Sequence, residues 1–514
     1  MNYRIGIDVG GTNTDAVMLD NELRIVAAVK VPTEERSGSG VSSAIEQLLA
    51  AARVPSSEIS AAMLGTTHCT NAIVQRKGLS RVGVLRLGSP ATTAVPPFEG
   101  WPIALRTAVE GYVKLLSGGH EYTGAEINPL IESEVRDACA AMLGKVDAVA
   151  VVGVFSPVND QHERRVAEIV VEELRLPVSR SAEIGAVGLL ERENATILNA
   201  ALVSTLGDMA DGFQQSLNSH GISADIYFGQ NDGTLMRLEY ALQFPVLTIG
   251  CGPTNSIRGA AHLSGVENAL VVDIGGTTTD IGVLVDGFPR QSAHAVEIGG
   301  IRTNFRMPDV LSVGLGGGSI VRVDDSGSIV IGPESVGYRI TQEAQLFGGT
   351  TLTASDIAAS EGRFTVAGRA APDLPQDLLL GADARMQTML EEAIDRMKPS
   401  AQPVPVVLVG GGSVIVPGEL EGVSELILPK EASAANAVGA ALGDIAGEAS
   451  RVFSLQEVTR AAAIEETKSE AIERAIAAGA NPATISVLSI EDIPVAYFDD
   501  AFTVKVRAAG RLTR

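Results

Sequence analysis

An internal repeat restricts the fold more than any other feature. Arg4-Ile5-Gly6-Ile7-Asp8-Val9-Gly10-Gly11-Thr12-Asn13-Thr14-Asp15 recurs about 265 residues later as Ala269-Leu270-Val271-Val272-Asp273-Ile274-Gly275-Gly276-Thr277-Thr278-Thr279-Asp280. Each copy is an apolar run, then Asp-x-Gly-Gly-Thr-x-Thr-Asp, then a second apolar run. Apolar runs broken by paired glycines predict a strand, a tight turn and a returning strand. Solenoid repeats recur every 20–50 residues or roughly so. A spacing this long therefore implies a duplicated domain, with two halves that face one another.

The motif has a chemical use. Glycines let the backbone approach a polyphosphate and aim N–H donors at its oxygens. Thr12, Thr14, Thr277 and Thr279 add hydroxyls, and Asn13 and Thr278 share the same turns. Asp8 and Asp273 end their strands, where a carboxylate can hold Mg2+, directly or through water, or orient an attacking water. The competing account is a tight turn capped by its Asp, which two matched copies weaken. A third glycine loop, Gly410-Gly411-Gly412-Ser413, follows another strand and precedes a helix expected at 433–447. In that order it would floor the adenine and ribose. The loop Gly314-Leu315-Gly316-Gly317-Gly318-Ser319 is expected beside phosphates or substrate, with a plain glycine turn as the alternative.

Composition narrows the partners. The 62 acidic and 39 basic residues give a net charge of -23, which repels nucleic acid and anionic membranes. Any phosphate must then be held locally, by backbone amides and a metal. Cys69, Cys139 and Cys251 show no metal-site spacing and suit a reducing compartment. No run of 18 apolar residues occurs, and the chain opens directly on a strand, so a cytoplasmic location is expected. Of the histidines, His68 in Gly-Thr-Thr-His-Cys-Thr-Asn is the candidate for catalysis, since hydroxyl-rich loops commonly face clefts, with a satisfied structural histidine as the equal alternative; the others show no ligand spacing. Arg302 and Arg306 are read either as anion binders or as surface pairs. Cys251 reads better as a small buried residue than as a nucleophile.

Periodicity predicts helices near 41–53, 70–77, 131–143, 160–174, 190–219 and 456–479, with strands near 61–64, 82–85, 148–152 and 484–508. The expected division is 1–190, 191–447 and 448–514.

Several segments together resemble the ATP-binding subunit of the hydantoinase/oxoprolinase family. They are Gly6 to Asp15, Leu64-Gly65-Thr66-Thr67-His68-Cys69-Thr70-Asn71-Ala72 with Arg76-Lys77-Gly78, and Glu191 to Ala200. Gly252-Pro253, the second hairpin, Ile298-Gly299-Gly300-Ile301 and Val313 to Ile320 complete the set. The resemblance covers about 1–445. It implies an α/β fold of duplicated actin-like ATPase (ribonuclease-H-like) domains around a nucleotide cleft, with a C-terminal α+β accessory segment. It also implies ATP and Mg2+ as cofactors, and a hydrolase that activates a cyclic amide of hydantoin, oxoproline or lactam type by phosphorylation. In such enzymes a second subunit or domain usually takes part in ring opening; homo-oligomerisation is left open. Asn13 stands where the family often has an aromatic residue, and Cys251 where a serine commonly precedes Gly-Pro. A sugar-type small-molecule kinase and a non-catalytic actin-like ATP switch are the alternatives. The absence of a cysteine-rich zinc motif and the Thr-x-Thr-Asp in both halves weigh against the kinase.

Overall fold

A computed structural model describes residues 2–10, 13–32, 39–185, 187–292, 296–305, 307–456, 458–495 and 501–512. Both repeats form the expected hairpins. Tyr3–Val9 pairs antiparallel with Asn13–Leu19, which sets Asp8 directly opposite Asp15. Ala269–Ile274 pairs the same way with Thr279–Val285, and Asp273 stands opposite Asp280. The turns close alike: Gly10 N donates to Asn13 O at 3.0 Å, and Gly275 N to Thr278 O at 2.9 Å. In each hairpin the first strand also has a parallel neighbour, Ile59–Thr66 in one case and Val404–Val409 in the other.

The fold is α/β with mixed sheets. Among the described residues, nine strands form one sheet in the order Ser486–Pro494, Ala501–Gly510, Ile445–Ser454, Leu235–Arg237, Asp225–Gly229, Ile59–Thr66, Tyr3–Val9, Asn13–Leu19, Ile25–Pro32. It takes strands from all three expected segments, so neither 190/191 nor 447/448 is a boundary between sheets. A second sheet is ordered Phe288–Pro289, Thr279–Val285, Ala269–Ile274, Val404–Val409, Val423–Ile427, with Val310–Val313 also paired to Thr279–Val285. A third is wholly parallel: Glu110–Ser117, Val82–Ser89, Ala148–Gly153, Val178–Arg180.

Helices follow the predicted periodicity. In Gln161–Leu174 the buried Val166, Ile169 and Val170 recur at helical spacing, with charged residues opposite. The long helix Leu189–Ser219 is pinned by buried polar contacts. Arg86, from the parallel sheet, donates to both carboxylate oxygens of Glu193 at 2.7 and 2.6 Å, with both side chains almost fully buried. The Trp101 indole donates to Asn194 Oδ1 at 2.7 Å, and Asn194 Nδ2 donates to Arg302 O at 2.9 Å. Such a bidentate pair holds only while both charges stay matched.

Two helices lie between the hairpin sheets and touch backbone to backbone. A side chain at Gly259 in Cys251–Ser264 would collide with the carbonyl of Ala435, and one at Gly439 in Ala435–Leu442 with that of Asn255. The helix expected at 433–447 is shorter than predicted, ending at Leu442, and Ile445 begins a strand. Two β-branched or aromatic positions, Val452 and Phe453, and the pairing with Ala501–Gly510 favour extension there over helix. The strand Val423–Ile427 also intervenes between the third glycine loop and that helix.

Candidate functional site

The two hairpins open onto one cleft of about 900 Å3. Asp8, Asp15, Asp273 and Asp280 all line it, along with Lys30 from the strand Ile25–Pro32. Four carboxylates around one lysine raise each other's cost of ionising. Burial, reinforced by Asp15 and Asp273, pushes the Asp8 carboxyl up to about 7. Burial lifts Asp280 to about 6; its bond from the Ser312 hydroxyl opposes the rise and Asp273 adds to it. Asp15 is raised by burial against the pull of its Lys30 ion pair. Asp273 is raised by burial too, opposed by the nearby Ser256 hydroxyl and Asn436 amide.

This charge distribution suits a divalent cation. Asp8 Oδ1 is buried and has no hydrogen-bond partner, and the carboxylates disfavour one another until a positive charge enters. Among the described residues, no group of three or more His, Cys, Asp or Glu side chains is gathered for a metal. Mg2+, which keeps several waters and takes one or two carboxylates plus substrate phosphate, is a cation that Asp8 and Asp273 could hold.

Glycines build the walls. Gly10, Gly275, Gly276, Gly317, Gly410, Gly411 and Gly412 line the cleft, with Asn13, Thr277 and Thr278. Gly412 N donates to Ile274 O at 2.7 Å, and a side chain there would stand 2.6 Å from Gly275 O. Gly410 has a φ of 85°, and a side chain on it would strike Asp273. Gly317 N and Gly318 N donate to the carbonyls of Gly275 and Gly276 at 3.0 and 2.7 Å, so loop 314–319 buttresses the second hairpin. Gly316 packs against the Thr277 backbone just behind the lining, and Ser413 starts the short turn beyond it.

Some expected residues sit elsewhere. Thr14 and Thr279 are fully buried on the far side of their strands, and the Thr279 hydroxyl donates to Leu315 O at 2.6 Å. The Thr279 hydroxyl is therefore a core contact, and neither Thr14 nor Thr279, expected as ligand donors, is among the residues lining the cleft. His68 is also corrected: it does not line the cleft. Thr67, Thr70, Asn71 and Val74 share one helical face toward the cleft, which turns His68 toward Asp208 of the long helix. Burial lowers its pKa, with Asp208 opposing. Arg302 is exposed on Ile301–Thr303 outside the lining, whereas Gly11, Thr12, His294 and Arg306 lie outside the described residues. Burial pushes the Cys251 thiol up to about 12, and it bonds to the Thr66 backbone, as a structural residue would.

Sequence reasoning did not single out Lys30, Asp15, Asp280, Ser312 or Asn436. A signal existed for two of them. Residues directly opposite in an antiparallel pair share a face, so the last Asp of each motif had to join the first.

The fold and cleft define an α/β protein in which two matched Asp-x-Gly-Gly hairpins present carboxylates to one acidic, glycine-walled site. Residues 4–174 match the hydantoinase/oxoprolinase N-terminal region and residues 192–368 match hydantoinase/oxoprolinase. The chain belongs to the hydantoinase/oxoprolinase family. It is 28% identical to the acetophenone carboxylase gamma subunit of Aromatoleum aromaticum, over 68% of this chain and 52% of that one. It is 27% identical to the caprolactamase subunit alpha of Pseudomonas jessenii, over 77% and 58%. The chain spans about half the length of the curated relatives it matches. The crystal structure of ATP-dependent caprolactamase from Pseudomonas jessenii superposes with a TM-score of 0.80 at 19% identity, covering 99% of this chain and 88% of that one. Among the described residues, no helix is long and apolar enough to cross a membrane.

Proposed function

We propose that this chain is the ATP-binding component of a cytoplasmic, ATP-dependent hydrolase that activates a cyclic amide of hydantoin, oxoproline or lactam type. One observation carries this: four carboxylates from two matched hairpins converge on a single cleft walled by glycine loops. Bound ATP supplies a phosphoryl group to the otherwise unreactive amide oxygen, and Mg2+ offsets phosphate charge. Asp8 and Asp273 hold that cation, directly or through water. Backbone amides from Gly276 to Thr278 take phosphate oxygens, the N–H groups of Gly10 and Gly275 being used to close their turns, and Gly410 to Gly412 admit the nucleoside without side-chain clash. Two actin-like halves arranged around the nucleotide, with 445–510 as an accessory extension, complete the picture.

The rest of the cleft lining suits a small, partly apolar ring. Val74, Ile249, Ile298, Met307 and Val310 supply apolar surface, while Thr67, Asn71 and Glu297 offer polar anchors. Relatives named as subunits support a partner subunit for the ring-opening step. Identity to a subunit of acetophenone carboxylase favours a second reading, in which a ketone is the phosphoryl acceptor.

Mg-dependent ADP release from the purified chain tests both, with hydantoins, 5-oxoproline, lactams and aryl ketones as a panel. Stimulation by one cyclic amide, lost in Asp8→Ala and Asp273→Ala, is the expected result. Stimulation by a ketone alone selects the second reading, and a flat response across the panel removes both.

A further inference from the structure

Beneath the two aspartates, the crossing helices bring together polar atoms whose hydrogen bonds are not yet made. Asp8 Oδ1, Asn255 Nδ2, Ser256 Oγ and Asn436 Oδ1 are all buried and short of well-formed hydrogen bonds, while Asn255 stands close enough to pull on the Asp8 carboxyl and Ser256 on that of Asp273. Asn255 and Ser256 are consecutive on Cys251–Ser264, and Asn436 lies on Ala435–Leu442. Gly65 is paired directly with Asp8 across the parallel strands. A side chain at Gly65 would collide with Asn255 Nδ2 and stand 2.8 Å from Asp8 Oδ1. Its absence leaves the amide donor and the orphan carboxylate oxygen on either side of one small space. On the other hairpin the corresponding bond is formed: Asn436 Nδ2 donates to Asp273 Oδ2 at 3.3 Å. The two aspartates belong to different sheets, yet their amide neighbours ride on one helix pair in backbone contact.

We propose that Asn255 is a positioning residue for Asp8, and Asn436 with Ser256 for Asp273, so that the helix crossing sets the spacing of both carboxylates for a hydrated cation. The inference rests on the Mg-nucleotide reading of the cleft. Asn255 sits too deep to line the cleft and acts through Asp8. Its amide closes on Oδ1 when the site is filled, because catalytic-site bonds that are loose without ligand tighten on binding. The oxygen then points one way only, held toward the cation by a bond that tightens as the cation binds.

The test is calorimetric titration of a non-hydrolysable ATP analogue into the full chain, with and without Mg2+. Wild type, Asn255→Leu, Asn255→Ser and Asn436→Ala are compared, each checked for folding by circular dichroism. Partners behind metal ligands change metal affinity by about 10–100-fold. The factor by which Mg2+ tightens the analogue should therefore shrink about tenfold in Asn255→Leu and Asn436→Ala, while Mg-free binding stays within about twofold in Asn255→Leu, whose residue does not line the cleft. Asn255→Ser, which keeps a donor, should recover part of it. Equal tightening in wild type and folded variants overturns the proposal, as does parallel loss of binding with and without Mg2+. Asn436→Ala decides the matter if Asn255→Leu does not fold. A wild-type chain that binds no analogue, or binds it independently of Mg2+, removes the reading of the cleft itself.

Discussion

The two hairpins share a motif, a register and a turn, yet they compensate their charges by different means. In the first, Asp15 is answered by a cation, Lys30, from the adjacent strand. In the second, Asp280 is answered by the hydroxyl of Ser312 and Asp273 by the amide of Asn436. The second turn is also clamped from outside through Gly317, Gly318 and Gly412. A duplicated motif therefore preserves backbone geometry while the side chains around it diverge.

The sharpest way to break this comparison is to neutralise each first aspartate separately. Asp8→Asn and Asp273→Asn should each lower ATP turnover by about 10²–10³-fold, the scale of losing a preorganised electrostatic contact. A large loss in one and none in the other would mean that only one hairpin serves the site. Next in size is Gly412→Ala, whose new methyl meets Gly275 O and Ile274 in the clamped turn. Nucleotide affinity should fall about tenfold by fluorescent-nucleotide titration, since displaced amides lose charge-assisted bonds of about 1.5–3 kcal/mol. Lys30→Met removes the lysine that partly neutralises the four carboxylates, and should lower the Mg2+ concentration for half-maximal binding several-fold, or roughly 1 kcal/mol. The equivalent change at Ser312, to Ala, should move it less.

The smallest effect concerns pH. Asp8, at about 7 in the fold against 3.8 ordinarily, and Asp280, at about 6, keep protons that the unfolded chain releases. The folded state thus binds more protons between those values, and stability must fall as pH rises through that window. Without ligand, the melting temperature should be higher by a few degrees at pH 5.5 than at pH 8, about what 1–2 kcal/mol gives a large protein. Saturating Mg2+ and nucleotide should flatten the difference. A melting temperature that instead climbs toward pH 8 would show that the carboxylates are matched by charges other than Lys30.

Much of this was legible in the chain. Asp-x-Gly-Gly-Thr written twice located both hairpins and their aspartates, because turn geometry and apolar alternation are local. The helices Gln161–Leu174 and Leu189–Ser219 were legible for the same reason. His68 was misjudged because composition marks a polar loop without showing its phase, and one residue of helix rotates a side chain by about 100°. Lys30, Ser312 and Asn436 reach the cleft through strand pairing and helix crossing across long stretches of chain, which no local pattern encodes. The union of 445–510 with the first sheet is of that kind too: one residue pair, Leu235 with Ile445, joins the neighbouring strands.

The helix Ala435–Leu442 carries a consequence for synthesis. Its Ala437, Val438 and Ala441 cover Val17 and Leu19 of the first hairpin. On the ribosome the hairpin emerges about 420 residues before its cover. At elongation rates of about 5–20 residues per second, that apolar face stays bare for roughly 20–80 s. The nascent chain therefore carries an uncovered apolar face of the hairpin until the helix that seals it has been made.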